Sequence, residues 1–442
     1  MMQFLFTKTP LAYIAASFWR DEAFSYLMAK QAPFQLLWTT AKDANPPLYY
    51  LLLKIWMFFF GHSEIALRTL SLLFFWGTLY TAFYLMKDIF KFSTKKSMVF
   101  LLLFLVNPLL HYYAFEARMY SLMAFLATLS FYYLLKKQYK AYGIVALLSF
   151  YTHYFLISVI ALQVGLSLLF LTKKEKADFI SQFKKYIVWT LPWIILLLFA
   201  RPPVNKSFWI GTLSFKDMLL FPGILFTGYE TSAGFIYKPL IFISIIVFLI
   251  IVFGVWALWQ KERRHALSKE KLYRLLLVIG WSIAIPLSVF IFSFFKPIFL
   301  PRYLIFATVG LLLLLLLIID KMHIRLKYIL FVVLLIISVH YGEVQVALRT
   351  KAPVGKTFAE IKQLIRPNDV VYVLHEYDFH PAEYYINDSQ VYIYKKSYAE
   401  LPWFVGKVLI PQEKIASTLP QYPRRAFVLQ PDGSSYSIQS LY

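Results

Sequence analysis

The acidic side chains that lie away from the Lys- and Arg-rich loops form a short set before the C-terminal hundred residues: Asp21, Glu22, Asp43, Glu64, Glu116, Asp217 and Glu230. Five of them precede residue 117. Asp21-Glu22 sits in Trp19-Arg20-Asp21-Glu22-Ala23-Phe24-Ser25. A carboxylate there can serve as a general base, drawing a proton from an incoming nucleophile. The same pair also suits the first turn of a helix, where the dipole favours negative charge. Asp43-Ala44-Asn45-Pro46-Pro47-Leu48-Tyr49-Tyr50 reads as a helix start. Its free N–H groups make an anion site, and Asn45 is placed to cap it. Glu116-Ala117-Arg118-Met119-Tyr120 offers either an internal Glu116–Arg118 pair or an arginine for a phosphate. Arg302-Tyr303 is open to the same phosphate reading, or to snorkelling at an interface. His153 in Tyr151-Thr152-His153-Tyr154 is a lone histidine at a tight turn. It has no zinc-type spacing to His62 or His111. A divalent ion among Asp21, Glu22 and Asp43 is conceivable, but nothing in the spacing demands one. The expectation is no metal and no cofactor.

The elements that carry these residues are hydrophobic to a degree no soluble core uses. The chain is 60% hydrophobic and 15% charged, with a mean hydropathy of +0.61. Ordinary soluble domains carry about 25% charged residues. Apolar stretches at 4–19, 66–86, 97–110, 118–135, 141–152, 154–171, 186–200, 240–260, 272–294, 303–319 and 327–342 lead to an expectation of about eleven membrane spans. The first is short and interrupted by Lys8 and Pro10, and Ala15-Ala16-Ser17 leaves signal-peptide cleavage open. Zero cysteines exclude disulfides, thiolate metal sites and a cysteine nucleophile.

The net charge of +22 is a topology signal. Five short loops, 87–96, 136–140, 173–185, 261–274 and 321–327, hold 21 of the 45 basic residues. Short basic loops mark the cytoplasmic side. A nucleic-acid binder would gather such charge on one soluble face instead, so nucleic acid is not an expected partner. The intervening segments, 20–65 among them, then lie outside. Parity holds only if the apolar stretch 46–60 does not cross, so it is expected as a juxtamembrane or re-entrant helix. Residues 343–442 carry 11 basic and 10 acidic side chains, a nearly neutral tail. Expected strands at 370–374, 391–394, 407–410 and 426–429, with helices at 358–365 and 413–419, make it a small α/β domain. The expected organisation is a transmembrane domain over 1–342 and a non-cytoplasmic domain over 343–442.

In this order the motifs resemble a family. The chain is similar to the GT-C glycosyltransferases of the protein O-mannosyltransferase type, including the lipid A aminoarabinose transferases. The resemblance rests on Asp21-Glu22-Ala23, Asn45-Pro46-Pro47-Leu48-Tyr49-Tyr50, Ser63-Glu64 with Arg68-Thr69-Leu70-Ser71, Glu116-Ala117-Arg118-Met119-Tyr120, Thr152-His153-Tyr154 and Arg302-Tyr303. It covers roughly residues 17–320 and implies an all-α polytopic membrane fold, GT-C-like, with juxtamembrane helices in the first external loop. It also implies sugar transfer from a polyprenyl-phosphate donor to an envelope acceptor at the outer face of the cytoplasmic (inner) membrane, without a metal. Asp21 would be the base, and Glu22 would position the acceptor or the loop. Asn45 would line the donor site, although it stands where the family commonly has His or a basic residue. Arg118, Arg302 and Tyr303 would hold the donor phosphate, with Asp43, Tyr49, Glu116, Tyr120 and His153 in support. The competing class is a lipid-linked glycan flippase or transporter, whose signature is internal repeats and polar groups near the bilayer midplane.

Overall fold

The computed structural model describes residues 9–201, 209–230, 235–262, 268–386 and 388–442. Helices dominate up to Leu348, and a small sheet domain follows. Among the described residues five helical segments are long and apolar enough to cross a bilayer: Glu64–Ile89, Lys173–Ala200, Lys269–Phe292, Pro301–Asp320 and Ile324–Leu348. The pair Thr94–Leu105 and Pro108–Ala114 makes a sixth if taken as one span bent by 71°. The bend has a local cause. Pro108 disfavours the α conformation at Asn107, and the Asn107 side chain then caps the next turn by accepting from the Leu110 N–H at 3.2 Å. Shorter apolar helices lie at Tyr120–Leu135, Tyr139–Phe150 and Leu156–Phe170.

Helix Ile305–Asp320 is the centre of the bundle. Its run Leu311–Leu316 is buried on every side, as an all-apolar helix must be when other helices surround it. Helices at the periphery instead expose large apolar side chains such as Leu198, Phe199 and Phe253, which suits a hydrocarbon surround.

Residues 1–8 of the first apolar stretch lie outside the described residues. From Thr9 onward the expected helical span is not formed: one tight turn, Pro10–Tyr13, gives way to extended chain at Trp19. The reason is a competing donor. Arg68 Nη1 donates to the carbonyls of Ile14 at 2.9 Å and Ala16 at 2.6 Å, so those oxygens are not left for a helix ladder.

The segment expected as the first external loop folds as three helices, Arg20–Lys30, Pro33–Asp43 and Leu48–Phe60. The last of these has 13 residues, about 20 Å at 1.5 Å per residue, against roughly 30 Å of hydrocarbon. Its C-terminal Phe58, Phe59 and Phe60 are exposed.

The C-terminal domain carries a five-stranded sheet in the order β3-β2-β1-β4-β5. The strands are β1 Val370–Val373, β2 Val391–Tyr394, β3 Ile415–Ala416, β4 Ala426–Leu429 and β5 Tyr436–Gln439. β1 pairs in parallel with β2 and β4, and β5 runs antiparallel to β4. Val371 and Val373 face the core under helices Val354–Leu364 and Phe379–Tyr385, while Val370 and Tyr372 face the other side. Two expectations need correction. Residues 407–410 are not a strand: Gly406 at φ +83° starts a tight turn over Lys407–Leu409, and Pro411 follows. Residues 413–419 are not a helix: after one turn at Gln412–Lys414, Ile415 pairs with Ile393 at the sheet edge.

The domain is docked on the first loop. The Tyr385 hydroxyl donates to Glu64 Oε1 at 2.7 Å and accepts from the Phe18 N–H at 2.9 Å. The Tyr384 hydroxyl donates to the His62 carbonyl at 2.8 Å, and the Gly355 N–H to Ser17 Oγ at 3.1 Å.

Candidate active site

Adjacent in sequence, Asp21 and Glu22 meet opposite surroundings. Glu22 is fully buried. Arg68 grips it with both prongs, Nε to Oε1 and Nη2 to Oε2, each at 2.7 Å. Lys351 Nζ donates to Oε2 at 2.6 Å, and the Ala117 N–H to Oε1 at 3.0 Å. Burial pushes its carboxyl up, but the Arg68 and Lys351 charges win and hold it at about 2. This is a structural anchor: it ties the first loop to the Arg68 helix and to the strap leading into the tail.

Asp21 bonds Arg20, Nε to Oδ1 at 2.9 Å, and keeps part of its side chain exposed. Burial raises it, while the guanidiniums of Arg20, Arg118 and Arg302 outweigh burial and hold it at about 2. The structure therefore gathers Asp21, Arg118 and Arg302, which are far apart in sequence. Arg118 Nη1 is 3.4 Å from the Asp21 carbonyl, 3.3 Å from Ser25 Oγ and 3.5 Å from the Tyr50 hydroxyl. Among the described residues its buried Nε has no hydrogen-bond partner. The Nε of Arg302 likewise makes no hydrogen bond among them but is ion-paired with Glu230, 3.8 Å from Oε1, with its guanidinium over the Trp209 ring at 4.9 Å. Two buried cations thus lie near the carboxylates of Asp21 and Glu230, an arrangement whose chemistry would suit an oxyanion.

Aromatic side chains wall the site. The Tyr303 ring lies 5.3 Å from His153 and 6.3 Å from Tyr120, and Arg118 lies over Tyr120 at 5.9 Å. Burial, helped by Arg118, drives His153 down to about 3, so its imidazole is neutral. Its Nδ1 accepts from the Phe155 N–H at 3.2 Å, which leaves Nε2 carrying the proton. Tyr49 is buried with its hydroxyl 3.4 Å from Ser71 Oγ.

Two expected local pairings are absent. Asn45 does not cap the helix after it. That helix begins at Leu48 behind Pro47, with no side-chain cap, and Asn45 Nδ2 instead donates to Asp43 Oδ2. The two prolines carry the start without it. Glu116 and Arg118 do not pair through their side chains; only the Arg118 N–H reaches the Glu116 carbonyl, at 2.7 Å. Among the described residues neither buried Glu116 carboxylate oxygen has a hydrogen-bond partner. Burial pushes its carboxyl up to about 7, with Lys351, Arg349 and Arg302 pulling down and Glu22 pushing up.

The sequence reading missed Arg349 and Lys351. Arg349 lies over the Tyr112 ring at 4.1 Å and 3.4 Å from Glu230 Oε2, and Glu230 Oε1 accepts from the Tyr113 hydroxyl at 3.0 Å. The available signal was two cations directly after the last long helix, just before Pro353. Among the described residues no group of three or more His, Asp or Glu is arranged to hold a metal.

No protein-family model and no curated protein sequence matches the chain. Solved structures do. The crystal structure of ArnT from Cupriavidus metallidurans in the apo state is 12% identical, covers 96% of this chain and 91% of its own, and superposes with a TM-score of 0.60. The structure of the same protein bound to undecaprenyl phosphate is 11% identical over 98% of this chain and 93% of its own, at a TM-score of 0.62. The chain has the ArnT fold. That fold covers both the helical bundle and the sheet-bearing tail, and with the long apolar helices it supports a multi-pass membrane protein.

Proposed function

We propose that the chain is a membrane glycosyltransferase that moves a sugar from a polyprenyl-phosphate carrier to an envelope acceptor (protein, lipid or glycan) at the outer face of the cytoplasmic membrane. The observation that carries this reading is the pair of buried arginines, Arg118 and Arg302, each with an Nε that makes no hydrogen bond among the described residues and each acting electrostatically on the carboxylate of Asp21. The ArnT structure that shares the fold binds undecaprenyl phosphate, which supports a polyprenyl-phosphate partner. The flippase reading is not favoured, because the polar cluster gathers around the first external loop rather than in paired sites at the midplane.

In the proposed step an acceptor hydroxyl attacks the anomeric carbon of the donor sugar. The bond from that carbon to the phosphate oxygen breaks, and its electron pair leaves with the polyprenyl phosphate. Arg118 and Arg302 stabilise the charge growing on that phosphate. The acceptor's proton goes to Asp21. A carboxylate held at about 2 is a weak base, but a phosphate seated between Arg118 and Arg302 neutralises two of the charges that hold it down. Donor binding thus raises Asp21 toward a useful basicity. Glu22 keeps the loop in place, and the neutral His153 and Tyr303 pack beside the phosphate site. The polyprenyl tail lies in lipid, with residues 1–342 as the catalytic membrane domain and 343–442 on the non-cytoplasmic side.

Undecaprenyl phosphate binding by the full chain in nanodiscs tests the donor site. Arg118→Gln and Arg302→Gln each remove a charge-assisted contact of about 1.5–3 kcal/mol and are expected to weaken binding by about tenfold to a hundredfold. Wild-type affinity in both variants would refute the phosphate assignment.

A further inference from the structure

On the far side of Arg20 from Asp21, a groove of about 310 Å³ opens between the first loop and the C-terminal domain. Trp19 and Arg20 line it from the loop, and Val354, Tyr377, Asp378 and Pro381 from the tail. Its volume is at the small end of the roughly 300–1,000 Å³ usual for small-molecule sites. Arg20 links the groove to the base: it bonds Asp21 at 2.9 Å while its guanidinium lies 5.0 Å over the Tyr377 ring. A molecule seated in the groove is one side chain from Asp21.

The lining selects a chemistry. It offers two aromatic rings, Trp19 and Tyr377, and a mostly apolar wall. The Asp378 carboxylate has no hydrogen bond or ion pair among the described residues. Burial pushes it up to about 6, with His375 pulling down and Glu376 pushing up, so it is an acceptor at neutral pH. Arg20 is the cation among the lining residues, and Asp21 already matches it. An anionic ligand would therefore meet no spare positive charge and would face Asp378. An alkyl chain would leave the carboxylate unsatisfied, at about 1–3 kcal/mol. A neutral, polyhydroxylated ring fits the lining. Its C–H face packs on an aromatic ring, and its hydroxyls reach the carboxylate.

We propose that this groove is a saccharide-binding subsite that seats the acceptor, which makes the acceptor a neutral glycan rather than a peptide or a phosphorylated lipid headgroup. The proposal rests on the transferase reading above.

Saturation-transfer NMR on the full chain in nanodiscs tests it, with maltose, lactose and N,N′-diacetylchitobiose as probes and octyl phosphate as the anionic, alkyl control. The expected result is binding of at least one disaccharide that weakens at least tenfold in Tyr377→Leu and in Asp378→Asn. Two variants are used so that one folding defect cannot decide the matter. No disaccharide binding, equal binding in both variants, or octyl phosphate alone binding through Tyr377 would overturn the proposal. The two readings fail separately. Saccharide binding through Tyr377 and Asp378 in a protein that turns over no polyprenyl-phosphate sugar sinks the transferase and keeps the groove. Turnover that depends on Asp21, with acceptor KM unchanged in both groove variants, keeps the transferase and sinks the groove.

Discussion

At the scale of single residues, the neighbours Asp21 and Glu22 divide the labour that one dipeptide suggests. Glu22 is saturated by Arg68, Lys351 and the Ala117 N–H. Glu22→Gln leaves two buried cations short of a counter-charge, which typically costs about 3–5 kcal/mol. A lowered melting temperature in detergent, with Asp21→Asn close to wild type, is the expected outcome; equal melting of both variants would contradict the anchor. Glu116 predicts a pH signature. Its carboxyl is raised from 4.5 to about 7, so between those values the native state holds a proton that the unfolded chain releases. Stability then falls as pH rises from 4.5 to 7 and levels off above. Glu116→Gln removes that decline and is more stable than wild type above pH 7, as melting curves across pH 4–8 would reveal. The sequence marked Asp21, Arg118 and Arg302 as candidates through their position at the mouths of apolar stretches. It could not separate Asp21 from Glu22, because the groups that neutralise Glu22 lie 46 and 329 residues away.

Among the elements, those with local causes were legible and those with distant causes were not. The short apolar runs at 370–374, 391–394 and 426–429 were legible as strands, and the structure forms them at Val370–Val373, Val391–Tyr394 and Ala426–Leu429. β3 has two residues and β5 is half exposed, so neither carries a pattern; the neighbouring strand recruits both. The stretch at 407–410 is apolar enough for a strand, but Gly406 and Pro411 bracket it and among the described residues it forms a tight turn instead. The failure of the first apolar stretch to stay helical after Tyr13 comes from Arg68, a residue on another helix. Docking of the tail is likewise a long-range matter, focused on the Tyr385 hydroxyl. Tyr385→Phe removes the bonds to Glu64 and Phe18 and leaves Glu64 Oε1 short of a donor, an expected loss of about 1–3 kcal/mol. Faster hydrogen exchange confined to 14–20 and 379–386 would register it, and unchanged exchange there would show that the tail is held by other contacts.

For the whole molecule, composition and the spacing of basic loops disclosed a polytopic membrane protein with a small α/β tail, and the ArnT fold agrees with it at only 11–12% identity. What composition cannot disclose is which apolar helices are too short to cross, since hydropathy is blind to what covers a helix. The 13-residue helix Leu48–Phe60 is the test case. In this naturally cysteine-free chain, His62→Cys, exposed just past the end of that helix, is expected to react with a membrane-impermeant thiol reagent added from the non-cytoplasmic side, and reaction only from the cytoplasmic side of intact vesicles would refute the topology. The central claim is chemical: Asp21, between Arg20, Arg118 and Arg302, takes the acceptor's proton while a polyprenyl phosphate departs. Its most direct test is a proteoliposome assay with radiolabelled polyprenyl-phosphate sugars and an envelope fraction as acceptor, comparing wild type with Asp21→Asn at equal reconstitution. The account predicts transfer of label by wild type and a loss of about 10²–10⁴-fold in the variant, with undecaprenyl phosphate still bound. Undiminished transfer by Asp21→Asn would contradict it.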